Sequence, residues 1–319
     1  MLKTLKISRY LVVLALLFMV GCSRPSNQIN PQLSFNPDEN YIHTLTPPFP
    51  PLSRGESFEE WGREYTIGLS LAKELDLYRS ITALKRALIL VPQDYIGRRA
   101  ELHYFIALSY YLGNRYEDVI DTFENSELAH VDENFPAYRD LLIILYESFA
   151  RTDNAEKMEF SLDLLAEADP KLGERLKLSK LIASANLKHL RGAPPSTTAT
   201  RDVKAFTDNY IAQSKSPAAA GFLNLIPGAG YLYVGQKQSA FTAFMVNALT
   251  ISAAAISYKS GNIPLAALLT SVEAGWYFGC IYGASQAAVS YNQRIYEREG
   301  HILMKQNRLY PILMLNHAF

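Results

Sequence analysis

Apolar and polar positions alternate with a helical period through the middle of the chain, from Glu56 to about Leu190. Apolar residues recur three and four positions apart, and few strand-like alternations interrupt them. The pattern predicts seven helices, over residues 56–75, 77–91, 95–112, 116–127, 134–151, 155–168 and 171–190. Short connections should make consecutive helices antiparallel neighbours. The predicted fold class is therefore all-α.

The first two helices resemble a tetratricopeptide repeat (TPR). Gly68 stands at the small position of the first helix, and Ala87 and Pro92 stand at the packing and terminating positions of the second. Small residues let two helices approach closely, and a proline ring cannot continue a helix. The next pair repeats the pattern with an offset of 39 residues, at Ala107, Tyr110, Tyr116 and Phe123. The resemblance implies a stack of helical hairpins with a concave groove for a peptide or a partner's helix.

Aromatic side chains of these helices are candidate groove contacts, although we favour core packing for Tyr110, Tyr111 and Tyr146. The run His103-Tyr104-Phe105 lies in the third predicted helix. Helical spacing alone does not decide which of the three side chains faces the groove.

A short apolar run near the amino terminus predicts export. Three basic residues precede ten apolar residues, 11–20, which are too few to span a bilayer comfortably. The run closes with Met19-Val20-Gly21-Cys22, which resembles the lipobox of bacterial lipoproteins. The resemblance implies a lipoprotein signal peptide over residues 1–22 and lipidation of Cys22. An uncleaved anchor helix is the alternative.

Composition divides the rest of the chain. Residues 23–54 are rich in proline and predict an extended tether, because proline cannot sustain a helix or a sheet ladder. The helical domain occupies residues 55–192. Residues 193–216 form a second linker, with a short helix near 200–213. A membrane module follows over residues 217–292, and a tail over 293–319 with a short hairpin near Arg308 to Pro311.

The membrane module is predicted from its lack of charge. Residues 217–292 contain only three charged side chains, those of Lys237, Lys259 and Glu273. Residues 239–258 and 263–289 are long and apolar enough to cross a hydrocarbon core of about 30 Å. Because four residues connect them, we expect a two-helix transmembrane hairpin.

Two polar side chains and a row of small residues are candidate features of this hairpin. Glu273 should face protein or water, and Asn247 in the other span is its natural partner. The pair could lock the hairpin by a hydrogen bond or serve as a proton or ion relay. Small residues at four-residue intervals predict a helix-packing face, toward the first span or toward another copy in a homo-oligomer. We call them the glycine seam: Gly275, Gly279, Gly283 and Ala287.

The segment before the first span predicts a re-entrant loop. Its turn residues are Pro227, Gly228, Gly230 and Gly235. Followed by the pattern Glu273-x-Gly275-Trp276-Tyr277-x-Gly279-x-x-Tyr282-Gly283, this segment resembles the membrane tail of uncharacterised bacterial TPR-like proteins. The resemblance implies an envelope location and no particular reaction.

Charge and motifs exclude several function classes. Lys and Arg number 31 and so do Asp and Glu, so there is no global electrostatic case for nucleic acid. Two cysteines and six scattered histidines give no metal motif, and no catalytic or cofactor-binding motif is found. We therefore expect no catalytic, metal or cofactor residues, and a protein that is not an enzyme.

Together these features predict a membrane-anchored bacterial envelope protein, with its helical domain outside the cytoplasm. The leading function is a scaffold or assembly factor that binds envelope proteins. A small transport or channel subunit using Glu273 is one alternative, and an outer-membrane assembly lipoprotein is another. The spans favour the inner membrane, because hydrophobic helices stop there during translocation.

Overall fold

The computed structural model describes residues 29–37, 39–192 and 198–319. It is 75% helix and has no strand in the described residues, which confirms the all-α class. The chain divides into two compact units. We call Leu33–Asp202 with His301–Phe319 the array unit, and residues 29–32 with Val203–Gly300 the hairpin unit.

In its described residues, the array unit contains ten short helices, two 3₁₀ turns and the extended segments between them. The helices are α1 (Glu39–His43), α2 (Arg54–Phe58), α3 (Glu60–Lys73), α4 (Leu77–Leu90), α5 (Ile96–Leu112), α6 (Tyr116–Glu124), α7 (Tyr138–Arg151), α8 (Ala155–Ala168), α9 (Pro170–Ala183) and α10 (Leu187–Gly192), with 3₁₀ turns at Glu127–His130 and Pro311–Met314.

One turn geometry recurs in four hairpins, α3–α4, α5–α6, α7–α8 and α9–α10. The middle residue of each turn is left-handed without being glycine, with φ of 56° at Leu75, 57° at Asn114, 56° at Asp153 and 50° at Ala185. The next residue donates its N–H to a carbonyl five positions back, as in Asp76 N to Leu71 O at 2.9 Å. This is the Schellman arrangement, which satisfies the free carbonyls at a helix end. Four equal turns therefore make four similar helical hairpins.

Three of the predicted helices are confirmed nearly residue for residue, namely α4, α5 and α8. The predicted helix over 56–75 is instead two helices, because Glu59 is extended, with ψ of 158°. A side chain at Gly62 would overlap the carbonyl of Glu56, so glycine permits this fold-back of α2. The predicted helix over 171–190 is likewise divided, by the turn at Ala185.

The proline-rich segment 23–54, predicted as an extended tether, buries apolar side chains in its described part and includes the short helix α1. Leu33 is 7% exposed and Ile42 in α1 is 2% exposed. The ring of Phe49, within the proline-rich run, packs edge-on against Phe105 of α5 with centroids 5.4 Å apart. Proline does exclude regular structure here, but extended chain can still bury apolar side chains against a helical surface.

The predicted tail over 293–319 is also folded differently. The last long helix continues to Gln306, and a turn at Arg308 leads into a 3₁₀ turn rather than a short hairpin. Nearly every side chain from Leu309 to Phe319 is buried in the array unit. Apolar burial, rather than local propensity, fixes this segment.

The hairpin unit contains the least charged part of the chain. Its helices are α12 (Pro217–Leu223), α13 (Ala229–Tyr233) and α14 (Lys237–Lys259), with the larger parts of α11 (Thr198–Gln213) and α15 (Ile263–Gln306). The α13–α14 and α14–α15 turns repeat the Schellman geometry, but here with glycine, at Gly235 and Gly261.

Helix α14 is 23 residues long, or about 34 Å at 1.5 Å per residue, which is enough to cross a hydrocarbon core. By length and apolar composition it is the one helix of the described chain that meets this requirement. The second predicted span lies within α15, which carries Glu273 and does not meet the same requirement. Large side chains on α14, including Phe241 at 66% and Leu249 at 64%, are exposed.

Candidate functional site

The predicted re-entrant loop is a compact turn organised by one buried amide. Asn224 is 1% exposed, and its Oδ1 accepts hydrogen bonds from Gly228 N and Gly230 N at 3.1 Å each. Gly228 has φ of 91°, a conformation that glycine adopts at little cost. A Cβ on Gly230 would overlap the carbonyl of Ala220. These glycines therefore allow α12 and α13 to fold back on each other.

Polar side chains of α15 hold the chain before and within this turn. Asn292 donates from Nδ2 to Lys215 O at 2.8 Å and accepts at Oδ1 from Lys215 N at 2.7 Å. Ser285 Oγ donates to Pro217 O at 2.6 Å. The Tyr277 hydroxyl donates to Leu225 O at 2.7 Å. These side chains thus have an architectural role, since they satisfy backbone groups around the turn.

The predicted pair of Asn247 and Glu273 is buried but not hydrogen-bonded together. Asn247 is 1% and Glu273 is 8% exposed. Asn247 Nδ2 donates to Ala243 O at 2.6 Å, in its own helix, and its Oδ1 has no partner. Thr250 is the polar neighbour of Glu273, but its hydroxyl donates to Val246 O. Both carboxylate oxygens are therefore left without a hydrogen bond.

The glycine seam is divided between two surroundings. Gly283 faces the hydroxyl of Tyr231 in α13, and Ala287 packs in a small cluster with Ala220 and Val234. Gly275 and Gly279 instead line an open crevice of about 760 Å³ beside α14. Only the first half of the seam therefore lies beside α14, because α12 and α13 pack against its second half.

The first helices of the hairpins form one surface of the array unit. Two segments of the same chain cover this surface, residues 33–53 and 309–319, and we call them the covering segments. The Phe49 ring contacts Tyr104 and Phe105 of α5. The Phe319 ring lies 5.9 Å from that of Phe105. Tyr104 and Phe105 are both fully buried, so neither is open to a peptide. His103 points elsewhere, with Nδ1 2.7 Å from a carboxylate oxygen of Glu127.

The covering segments are fastened by Asp140, a buried carboxylate of α7. Its Oδ2 accepts from His317 N at 2.8 Å and lies 2.9 Å from His317 Nδ1. Asn316 N donates to both of its oxygens at 3.2 Å. Ala318 N donates to Thr46 O, which joins the two covering segments. Burial raises the pKa of the Tyr104 hydroxyl, and the nearby Asp140 carboxylate raises it further.

Arg98 fastens the proline-rich run in a similar way. Its guanidinium donates from Nη1 to Pro50 O at 3.1 Å and from Nε to a Glu56 oxygen at 2.9 Å. It also pairs with Glu101 at 2.7 Å. The Arg98 hydrogen bond lowers the pKa of Glu56 to about 2. One cation thus ties extended chain to α2 and α5.

Sequence reasoning missed Asp140, His317 and Arg98. A charged residue within an apolar helical run, such as Asp140 before Leu141-Leu142-Ile143-Ile144-Leu145, was an available signal of a buried charge with a partner. Its partner lies 177 residues away and has no local signal.

The remaining points concern Cys22, metal binding and the comparisons with known proteins. Cys22 lies outside the described residues. Across those residues, no group of three or more His, Cys, Asp or Glu side chains could hold a metal ion. Comparison with protein-family models, curated proteins and solved structures gives no match to this chain.

Proposed function

We propose that this chain is a non-enzymatic scaffold or assembly factor of the bacterial cell envelope, anchored in the membrane and binding protein partners through its array unit. The observation that carries the proposal is the exposed apolar surface of α14 in a chain that also holds a four-hairpin helical array. Stacked helical hairpins of the TPR-like kind commonly bind peptides or helices.

The path of the chain supports a return crossing by α15. The array unit contains residues from both before and after the α14–α15 hairpin. Asp140 and His317 are in direct contact, so these two parts must lie on one side of any membrane. If α14 crosses, the chain must cross again, and α15 is the helix that follows. Residues 239–258 of α14 and 263–289 of α15 expose no charged side chain, which suits such a hairpin.

Export and lipidation belong to the same proposal. A lipidated Cys22 would place the array unit outside the cytoplasm and the turn at Ser260 inside. The inner membrane suits helical spans better than the outer membrane, because apolar helices stop in the inner bilayer.

Impermeant maleimide labelling of intact spheroplasts tests the topology. In a chain with Cys280→Ala, Asp163→Cys in the exposed part of α8 should be labelled at once. Ser260→Cys, at the exposed α14–α15 turn, should be labelled only after the membrane is permeabilised. Equal labelling of both positions in intact spheroplasts would contradict a membrane hairpin.

Crosslinking in cells tests the scaffold. Removal of residues 33–192 together with 309–319 deletes the array without leaving its apolar covering segment behind. We expect the shortened protein to stay in the membrane fraction and to lose its crosslinked envelope partners. Unchanged partners would refute binding through the array.

A second candidate function, a small transport or channel subunit, is favoured by the unpaired carboxylate of Glu273. Ionisable groups within membrane segments are costly and often mark ion paths. Glu273→Gln keeps the size of the side chain. Loss of a proton or cation flux in proteoliposomes, with normal expression, would favour transport, whereas unchanged permeability would exclude it.

A further inference from the structure

The second hairpin of the array has a shortened second helix. Helix α6 has nine residues, whereas α4 and α8 in the neighbouring hairpins have 14 each. After α6 ends at Glu124, a 3₁₀ turn and irregular chain lead to α7. Because α6 is short, it covers only part of one flank of α7.

A groove of about 430 Å³ lies at this place, between α6, the 3₁₀ turn, α7 and α8. Leu141 and Leu145 of α7 are buried in its floor, at 1% and 3% exposure. Phe160 of α8 stands on its rim at 65% exposure. The lining is apolar apart from Glu124, Lys157 and Ser161 and the hydroxyl of Tyr138. The groove is separate from the surface covered by the chain's own segments.

The chain segments that form this groove are strongly acidic. From Tyr116 to Tyr138 the chain has seven Asp and Glu residues and no Lys or Arg. Helix α8 adds four carboxylates and one cation, Lys157, which is already paired with Glu124. Asp132 and Glu133 directly follow Val131 of the groove lining, and both are exposed, as is Asp121 of α6.

We propose that this acidic groove binds a basic amphipathic helix of a partner protein, with apolar anchors flanked by Lys or Arg. Apolar side chains of such a helix would fill the groove, as in other helix-in-groove complexes. Its cations would face the carboxylates, which favours orientation and fast association. The inference rests on the proposed scaffold function and specifies the chemistry of the partner.

Binding of a model peptide tests the groove. The full chain is reconstituted in nanodiscs of zwitterionic lipid, with empty nanodiscs subtracted. The probe is a fluorescent 15-residue peptide of Leu and Lys in an amphipathic helical pattern, and its counterpart replaces Lys by Glu. We expect the Leu/Lys peptide to bind at least about tenfold more tightly than the Leu/Glu peptide, and less tightly as salt rises.

Two changes should weaken binding of the Leu/Lys peptide. Ala129→Trp fills the groove from an exposed position, and Asp121→Lys with Glu133→Lys reverses two exposed charges of the acidic segment 116–138. Each should raise the Kd about tenfold or more, the equivalent of one lost anchor. Glu74→Lys, an exposed charge reversal on the first hairpin, is the matched control and should leave the Kd unchanged.

Equal affinity for both peptides, or an unchanged Kd in Ala129→Trp, would overturn the inference. A dimer that becomes a monomer in Ala129→Trp, with no peptide bound, would overturn it in favour of a second copy in the groove. The experiments distinguish failure of the groove proposal from failure of the scaffold function. Partners lost on array deletion but kept in Ala129→Trp would leave the scaffold standing and place its binding surface elsewhere.

Discussion

The Asp140 carboxylate should be the main fastening of the covering segment 309–319. In Asp140→Ala, the N–H groups of Asn316 and His317 lose a charged acceptor, at 3.2 and 2.8 Å. Hydrogen bonds to charged groups contribute about 1.5 to 3 kcal/mol each. At the low end of that range, the two backbone bonds give about 3 kcal/mol. The ring contact of His317 is left out of this value because its side chain is 29% exposed.

Amide hydrogen exchange of the full chain measures this loss locally. A loss of about 3 kcal/mol corresponds to roughly 100-fold faster exchange of the amides at 316–318, if they exchange by local opening. Asp163→Ala, an exposed carboxylate of α8, is the matched control and should leave exchange unchanged. Less than about threefold acceleration in Asp140→Ala would refute the reasoning, because the carboxylate would then contribute almost nothing to holding the segment.

Two further predictions concern the turn glycines and the acid limit of the array. Gly230→Ala should prevent the hairpin unit from folding, because a Cβ at this position overlaps the carbonyl oxygen of Ala220. The expected result is loss of the protein from the membrane fraction. Gly279→Ala is the control and should accumulate normally, because the space around Gly279 is open. The lowered pKa of Glu56 should stabilise the array fully above pH about 4.5 and progressively less as pH falls toward about 2. Glu56→Gln should flatten the free energy of unfolding across that pH window, and an unchanged acid slope would contradict the role of its bond to Arg98.

Periodicity was enough to predict most helices of the array and helix α14, but not α1 or the breaks at Glu59 and Ala185. The apolar spacing of α4, α5 and α8 fixes both their type and nearly their ends, because each has one face to bury. The hairpin turns at Leu75 and Ala185 carried no glycine, so their shape was visible only as a break in the helical pattern.

The covering segments could not be predicted in the same way. Residues 33–53 and 309–319 have apolar side chains but no period, and proline in both favours extended chain. Local pattern does not indicate which distant surface such residues bury. The contact between Thr46 and His317 depends on the assembled array, so neither segment reveals it alone.

The candidate polar pair failed for a related reason. Asn247 and Glu273 were matched by depth along two predicted spans, but a helical side chain can also bond its own preceding turn. Asn247 and Thr250 both donate to carbonyls four residues earlier. Local partners within one helix thus competed successfully with a partner across the hairpin.

The order of synthesis gives the covering segment a consequence for biogenesis. The ribosome makes α3 to α10 first and residues 309–319 only after the apolar hairpin has emerged. Until then, Phe105 lacks the ring of Phe319, and Asp140 lacks its hydrogen bonds from Asn316 and His317. On the proposed topology, completion of the array would therefore wait until α14 and α15 have been inserted, and eleven residues of polypeptide would couple the two steps.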